Sequence, residues 1–561
     1  MIKFYFQIKG KYLFFVIFVL LLLFIRINEG LTQDKNFNNK LIIEETFLPS
    51  ISIQDSVYSI KQLQYQLDVI LDNKEYNKSD FGVSIFSLDQ QKYIYQNNST
   101  KKLIPASTTK LITTFAYLFS KYPDYNIYTT LYATSPYHIN GVLNSDIFMY
   151  GRGNVLLKEN DIDSLVAKIK NKGIKEIKGD IYADASYFDG FKDRYKYSGD
   201  LDEVQQVNDI TALGVNKNHF FVTVKYNSTN NKADVNIYPS SSIVNVVNNT
   251  KNISSLRNYE VNDENEVLDK ININNYEVDQ KYGDLIAAKR KKKSSRRSSN
   301  SNNVSVKVRK VSEDNFSVTV TGNVNKNYSN TFVYKIEEPE YYTIGVLKNS
   351  LEKNNIKFDG QLKIRDRNKF QYYGKDKILA EVGNPIYEMI NTVNKNSDNF
   401  LAEHFFKING TFYKDFNSNY DAANYLIKKI SDSLNLTSLK CIINDGSGLS
   451  RRNKITPETL VDILNYSYKM RFEEIFTNSL AIAGVDGTLR KRMLNTNAVN
   501  NARAKTGTHR NVSALAGYVT TLDGERLCFS IISNGNYVYA YKYIEDRIVV
   551  ALSDFKYFNK P

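Results

Sequence analysis

The sequence predicts an α+β fold: an antiparallel sheet flanked by helices, built from two segments far apart in the chain, with a β-rich region inserted between them. Three observations carry this. Phe81–Leu88 near one end, and Leu515–Val519 and Leu527–Ile532 near the other, have the strand-like patterning of sheet partners. Apolar residues at helical spacing follow Pro105 and return from about residue 378. Between these regions, short β-like runs alternate with Gly and Asn turns.

A chain of 561 residues, 42% hydrophobic and 13% aromatic, predicts two to four domains with a sizeable core. The net charge is +14, but the run Lys289, Arg290, Lys291, Lys292, Lys293, Arg296 and Arg297 carries seven of those charges and leaves +7 elsewhere. No nucleic-acid-binding signature accompanies it, so no nucleic-acid partner is expected. The run reads as a solvated loop, with attraction to anionic envelope polymers or lipid head groups as the functional alternative. Two cysteines, Cys441 and Cys528, make no disulfide framework; they are either one bridge or two free thiols. Four histidines without ligand spacing argue against a zinc hydrolase, and neither metal nor cofactor is expected.

In chain order, residues 1–30 hold Lys3, Lys9 and Lys11 and then an unbroken apolar run from Tyr12 to Ile25. This is a signal-peptide pattern. No small-x-small site follows Arg26, so an uncleaved membrane anchor is the alternative; either predicts an exported protein. Residues 31–122 form the first segment of the catalytic domain, with a helix over about 59–71, a strand at 81–88 and a second at 92–96. Residues 123–235 are the first part of the insertion, with strands at 129–133, 146–150 and 220–226 and a helix over 162–172. Residues 236–315, rich in Asn and Ser, read as a small subdomain carrying the basic loop. Residues 316–377 complete the insertion, with a strand near 317–322 and an amphipathic helix over 341–353. Residues 378–561 form the second catalytic segment.

The chemistry is carried by three short motifs. Ser107 and Lys110, in Pro105-Ala106-Ser107-Thr108-Thr109-Lys110, share one helix face. A serine hydroxyl is a poor nucleophile at neutral pH, and a lysine kept neutral by burial or a second cation takes its proton. Spacing alone does not decide, because Ser350 and Lys353 have the same spacing in what reads as an amphipathic surface helix. Ser397-Asp398-Asn399 adds a second serine to relay a proton and a carboxamide, Asn399, to orient the lysine; taken alone it reads as a helix cap. Lys505-Thr506-Gly507-Thr508 opens a strand: Lys505 and Thr506 suit a terminal carboxylate, and Gly507 lets a substrate backbone approach. The backbone N–H groups of Ser107 and Thr508 make an oxyanion hole. The three motifs in this order, with Lys-Thr-Gly occurring once, make coincidence improbable.

Together with Asp445-Gly446-Ser447-Gly448-Leu449-Ser450-Arg451, Asp486-Gly487-Thr488-Leu489 and Arg492, these motifs resemble the class C low-molecular-mass penicillin-binding proteins, the D-alanyl-D-alanine carboxypeptidase/endopeptidase family. The 286 residues between Lys110 and Ser397 fit that family, whose members carry extra domains there. The segments Gly173–Asp184 and Glu338–Gly360 are similar too. The resemblance implies a β-lactamase/transpeptidase-like catalytic domain and a serine DD-peptidase acting on peptidoglycan stem peptides through an acyl-enzyme at Ser107, with β-lactam antibiotics as inhibitors. It also implies that Asp184 in the insertion contacts the diamino acid of the stem peptide. The chain departs from the family in lacking tryptophan and in placing His509 after Thr508. Two alternatives accompany this reading: a β-lactamase of the same fold, and a catalytically silent envelope-binding protein.

Overall fold

The structure is a computed structural model that describes residues 60–72, 80–120, 126–195, 207–253, 302–369, 371–436 and 441–556. The N-terminal apolar run and the basic run at 289–297 lie outside the described residues. Helix α1 (Ile60–Leu71) buries Leu63, Leu67, Ile70 and Leu71, one apolar stripe. A hairpin follows, β1 (Phe81–Ser87) and β2 (Lys92–Asn97). A 3-10 turn, Ala106–Thr108, then runs into α2 (Thr109–Ser120).

The next stretch contains β3 (Asn126–Ala133), β4 (Ile147–Gly151), α3 (Glu159–Asn171) and β5 (Ile181–Asp184). It continues through β6 (His219–Lys225), β7 (Asp234–Tyr238), β8 (Val244–Asn252), β9 (Ser305–Ser312), β10 (Asn315–Val324) and β11 (Ser329–Lys335). It closes with α4 (Pro339–Lys353), β12 (Leu362–Ile364) and β13 (Ile378–Pro385). Helices α5 (Ile386–Lys395), α6 (Asn399–Gly410), α7 (Asn419–Ser433) and α8 (Pro457–Tyr468) come next. The chain ends in β14 (Ala481–Ile482), β15 (Arg503–His509), β16 (Val512–Thr520), β17 (Arg526–Asn534) and α9 (Val538–Ser553).

The two distant segments meet in one six-stranded antiparallel sheet, ordered β14-β15-β16-β17-β1-β2. The first strand pairs with the last, Val83 opposite Ile531. Side chains alternate across this sheet. Val83, Ile85, Leu515, Phe529 and Ile531 join the core under α1 and α9. Phe86, Ala514, Ala516, Cys528 and Ile532 join the core with α2 and α8. With both faces covered, all of β1 is buried, so its serines Ser84 and Ser87 are interior residues.

Among the described residues, the intervening stretch builds a mixed five-stranded sheet, β12-β5-β4-β3-β13, and three three-stranded sheets, two of them β11-β6-β7 and β8-β10-β9 and the third made of the short pieces Val142–Leu143, Glu176–Ile177 and Lys357–Phe358. The turn at Ser350 is amphipathic, yet its N-terminal end is not a surface: Ser350 and Leu351 are buried and the Ser350 hydroxyl donates to Asp163, while Glu352 and Lys353 face solvent. Cys441 and Cys528 are both free thiols. No helix among the described residues is long and apolar enough to cross a membrane.

Candidate active site

Ser107 sits on the 3-10 turn that starts α2, half-buried rather than within the α-helix proper. The turn is forced: Ala106 has φ 47°, a left-handed conformation that costs an L-residue about 1–2 kcal/mol. Hydrogen bonds hold it there. The Thr108 hydroxyl donates to the Pro105 carbonyl at 2.7 Å and the Thr109 hydroxyl to that of Ala106 at 2.9 Å. Gly448 presses on the same turn. A β-carbon there would lie 1.9 Å from the Ala106 carbonyl oxygen, and its φ is +80°.

One helical turn on, Lys110 is fully buried and its Nζ stands 2.8 Å from Ser107 Oγ. The same nitrogen donates to Asn399 Oδ1 at 2.7 Å and to the Ser447 carbonyl at 2.5 Å. Burial pushes its pKa down to about 8, against the pull of Asp445, Glu403 and Asp398, which favour the charged form. The Ser447 carbonyl is aimed by buried carboxylates. Glu403 accepts from Ser447 N at 2.8 Å, and Asp445 accepts from Gly448 N at 2.9 Å, Ser450 N at 2.7 Å and the Asn453 side chain at 2.8 Å. Arg194, itself buried, approaches Asp445 at 3.3 Å.

The second motif is the N-terminal end of α6. Asp398 caps the helix, accepting from Leu401 N at 2.9 Å, so the expected capping role and the placing of Asn399 on Lys110 coexist. Ser397 precedes it at φ 60°, half-buried. Among the described residues, Lys110 hydrogen-bonds to Ser107, Asn399 and Ser447 and not to Ser397.

The third motif lies on β15. Its neighbour β14 pairs only with Arg503 and Ala504, so β14 leaves the edge from Lys505 to His509 unpaired. This edge lies against the Ser107 turn: a β-carbon on Gly507 would come within 2.7 Å of the Pro105 carbonyl oxygen. Lys505 is buried and donates to its neighbour's carbonyl, Thr506 O, at 2.9 Å. Burial, then the charge of Lys110, holds its pKa well below the ordinary lysine range. The Thr506 hydroxyl donates to that of Thr488 at 2.8 Å; Thr508 is exposed. His509 meets the Gly448 carbonyl at 2.6 Å, tying the strand to the loop beneath Ser107.

Asp184 is placed apart from this cluster. It ends β5, buried, where its carboxylate takes the Tyr373 hydroxyl, Ser186 N at 2.8 Å and Arg365 Nε at 3.3 Å. It thus closes a tight turn through Ser186 N and its carboxylate is already engaged by Tyr373 and Arg365. Sequence reasoning assigned no role to Ser447, Glu403, Asp445 or Thr488. Two of the stretches it singled out, Asp445–Arg451 and Asp486–Leu489, contain three of them, and the density of Gly beside Asp was the available signal.

The chain matches the model of the D-Ala-D-Ala carboxypeptidase 3 (S13) family over residues 63–278 and 275–555. It is 26% identical over 511 residues to a D-alanyl-D-alanine carboxypeptidase of Actinomadura sp. (strain R39), covering 88% of this chain and 85% of that one. It is 24% identical over 470 residues to the D-alanyl-D-alanine carboxypeptidase DacB of Haemophilus influenzae, covering 82% and 86%. The crystal structure of penicillin binding protein 4 (dacB) from Haemophilus influenzae superposes with a TM-score of 0.61 at 20% identity, covering 89% of this chain and 100% of that one. A family match that spans nearly all described residues, on a fold that gathers Ser107, Lys110, Asn399 and the Lys505 strand at one site, leaves one conclusion: the chain belongs to the D-Ala-D-Ala carboxypeptidase 3 (S13) family, and with it to the class C low-molecular-mass penicillin-binding proteins.

Proposed function

We propose that the chain is a serine D-alanyl-D-alanine peptidase of peptidoglycan stem peptides that works through an acyl-enzyme on Ser107. The observation that carries this is the setting of Lys110. A neutral amine has two N–H groups and one lone pair. Two carbonyl oxygens, Asn399 Oδ1 and Ser447 O, stand at 2.7 and 2.5 Å, and the remaining neighbour is the Ser107 hydroxyl at 2.8 Å. The two acceptors take the two N–H groups and leave the lone pair for the hydroxyl proton.

The reaction then follows from residue chemistry. Ser107 Oγ attacks the carbonyl between the two D-alanines while Lys110 takes its proton. The oxyanion faces the backbone N–H groups of Ser107 and Thr508. The C–N bond breaks, D-alanine leaves with a proton relayed through Ser397, and water hydrolyses the ester. The substrate lies along the open edge of β15, close to Gly507. Its terminal carboxylate meets Lys505 and Thr506 and supplies the counter-charge that a buried Lys505 needs to hold its proton. Asp184, through its pair with Arg365, is assigned to the diamino-acid side of the stem peptide.

β-Lactams present a strained amide in place of the dipeptide and acylate the same serine; the penicillin binding protein 4 fold match supports this. The same site cuts a D-alanyl cross-link when a second stem peptide takes the leaving side, and digesting cross-linked muropeptides beside D-alanyl-terminated peptides separates the two activities. The apolar N-terminal run supports export, to the periplasm if it is a cleaved signal peptide or to the outer face of the cytoplasmic membrane if it is an anchor. We assign residues 31–122 and 378–561 to the catalytic domain and 123–377 to its insertion.

The test is labelling with a fluorescent penicillin. Wild-type protein takes up one label and the Ser107→Ala variant none. No label on wild type, or equal label on the variant, overturns the reading; nitrocefin turnover at many cycles per second makes the protein a β-lactamase instead.

A further inference from the structure

Lys110 is surrounded by charge. Asp398 faces it from the cap of α6 and Glu403 from α6 itself, Asp445 from the loop that follows α7, and Lys505 and His509 from β15. Three carboxylates favour its protonated form, which cannot act as a base. Asp398 is the carboxylate next to Asn399 in sequence, and it has an ion pair that comes from the insertion. Lys217 Nζ lies 2.6 Å from Asp398 Oδ2, with 17% of the lysine side chain and 2% of the aspartate exposed.

The segment that delivers Lys217 is costly. Asn216, Lys217 and Asn218 are three consecutive left-handed residues, with φ 51°, 52° and 57°. Such strain persists only where the surroundings over-determine it. Here Asn216 N donates to Leu157 O at 2.8 Å and Lys217 N to Val155 O at 3.3 Å, while the Asn208 side chain donates to Lys217 O at 3.0 Å and the Asn218 side chain to Asp209 O at 2.9 Å. A surface salt bridge needs no such clamp. This one crosses from the insertion to the turn that carries Ser397 and Asn399.

We propose that Lys217 is a positioning residue for acyl transfer: its ion pair with Asp398 holds the Ser397-Asp398-Asn399 turn on Lys110 and offsets the nearby carboxylate that favours a protonated, inert amine. The insertion is thereby part of the general-base machinery and not only a substrate-binding appendage. This rests on the serine-peptidase reading above.

The experiment measures the rate of acylation by a fluorescent penicillin across pH in the full-length protein. In Lys217→Gln the rising limb moves to higher pH, so the rate near neutrality falls about threefold to tenfold and recovers in alkali; one unit of midpoint is a tenfold change in neutral amine. Lys217→Arg restores the wild-type midpoint. Asp398→Asn keeps a capping side chain, removes the carboxylate and moves the limb to lower pH. A Lys217→Gln midpoint equal to wild type, with or without a uniform loss of rate, overturns the proposal. Should that variant not fold, an unshifted Asp398→Asn midpoint overturns it. Wild-type protein that takes no label overturns the peptidase reading together with this one.

Discussion

At the scale of the residue, the decisive property is a lysine whose burial brings its neutral form within reach of physiological pH. Its pKa of about 8 has been lowered from the ordinary range by burial, so the amine is mostly charged at neutral pH and mostly free above 8. The base is the free form. Acylation by penicillin therefore rises with pH through about 8, and stopped-flow rates across that range check it; a rate that falls there is the contrary result. Lys110→Arg keeps a cation that never deprotonates and slows acylation by about 10²–10⁴-fold, the worth of a general base. The clustering of Ser107, Lys110, Asn399 and Lys505 was legible in the sequence because the proposed chemistry demands those side chains at those spacings. Ser447 was not, since it acts through a backbone carbonyl that every residue possesses. Lys217 was not, because its meaning depends on a carboxylate reached only after docking. The salt link of Asp184 to Arg365 was not legible, because it needed the fold.

At the scale of the element, the site depends on the contact between the 445–450 loop and the turn before α2. Gly448→Ala would introduce a methyl against the Ala106 carbonyl in a conformation with φ +80°. The strain costs about 1–2 kcal/mol, and overpacking adds about 1–3 kcal/mol. The expected result is a lowered melting temperature and acylation more than tenfold slower, read by calorimetry and penicillin labelling of the same sample. Element types were legible where periodicity was long. The α1, α3 and α4 helices lie within a few residues of their expected bounds, as do β1, β6, β10, β16 and β17. The two-residue β14 was not, because two residues carry no period, and yet its brevity is what leaves the Lys505 edge free.

At the scale of the whole molecule, one apolar core runs beneath the Ser107 helix and through the insertion. Leu111, Phe115 and Leu118 of α2 share it with Leu131, Met149 and Val222 of the inserted sheets and with Phe405 of α6. Phe188 and Ile408 close on Gly153 from opposite parts of the chain. Separate folding of insertion and catalytic domain would expose this surface, at about 25 cal/mol for each Å². Calorimetry of the intact protein is therefore expected to show one cooperative transition, and two well-separated transitions would contradict a shared core. The sequence announced an interrupted domain. It did not announce that β3 and β13, the two ends of the interruption, would pair with each other and bring the catalytic halves together.

The pairing of β1 with β17 has a bearing on synthesis. A ribosome makes Phe81–Ser87 early and must add more than four hundred further residues before Arg526–Asn534 exists to lie beside it. The nascent chain thus carries its nucleophile for tens of seconds, at about 5–20 residues per second, with no oxyanion strand and no Ser447 carbonyl. Closing so large a loop is a slow folding step. On the proposed mechanism, competence for acyl transfer arrives only when that late strand is in place, so an unfinished polypeptide is expected to be inert.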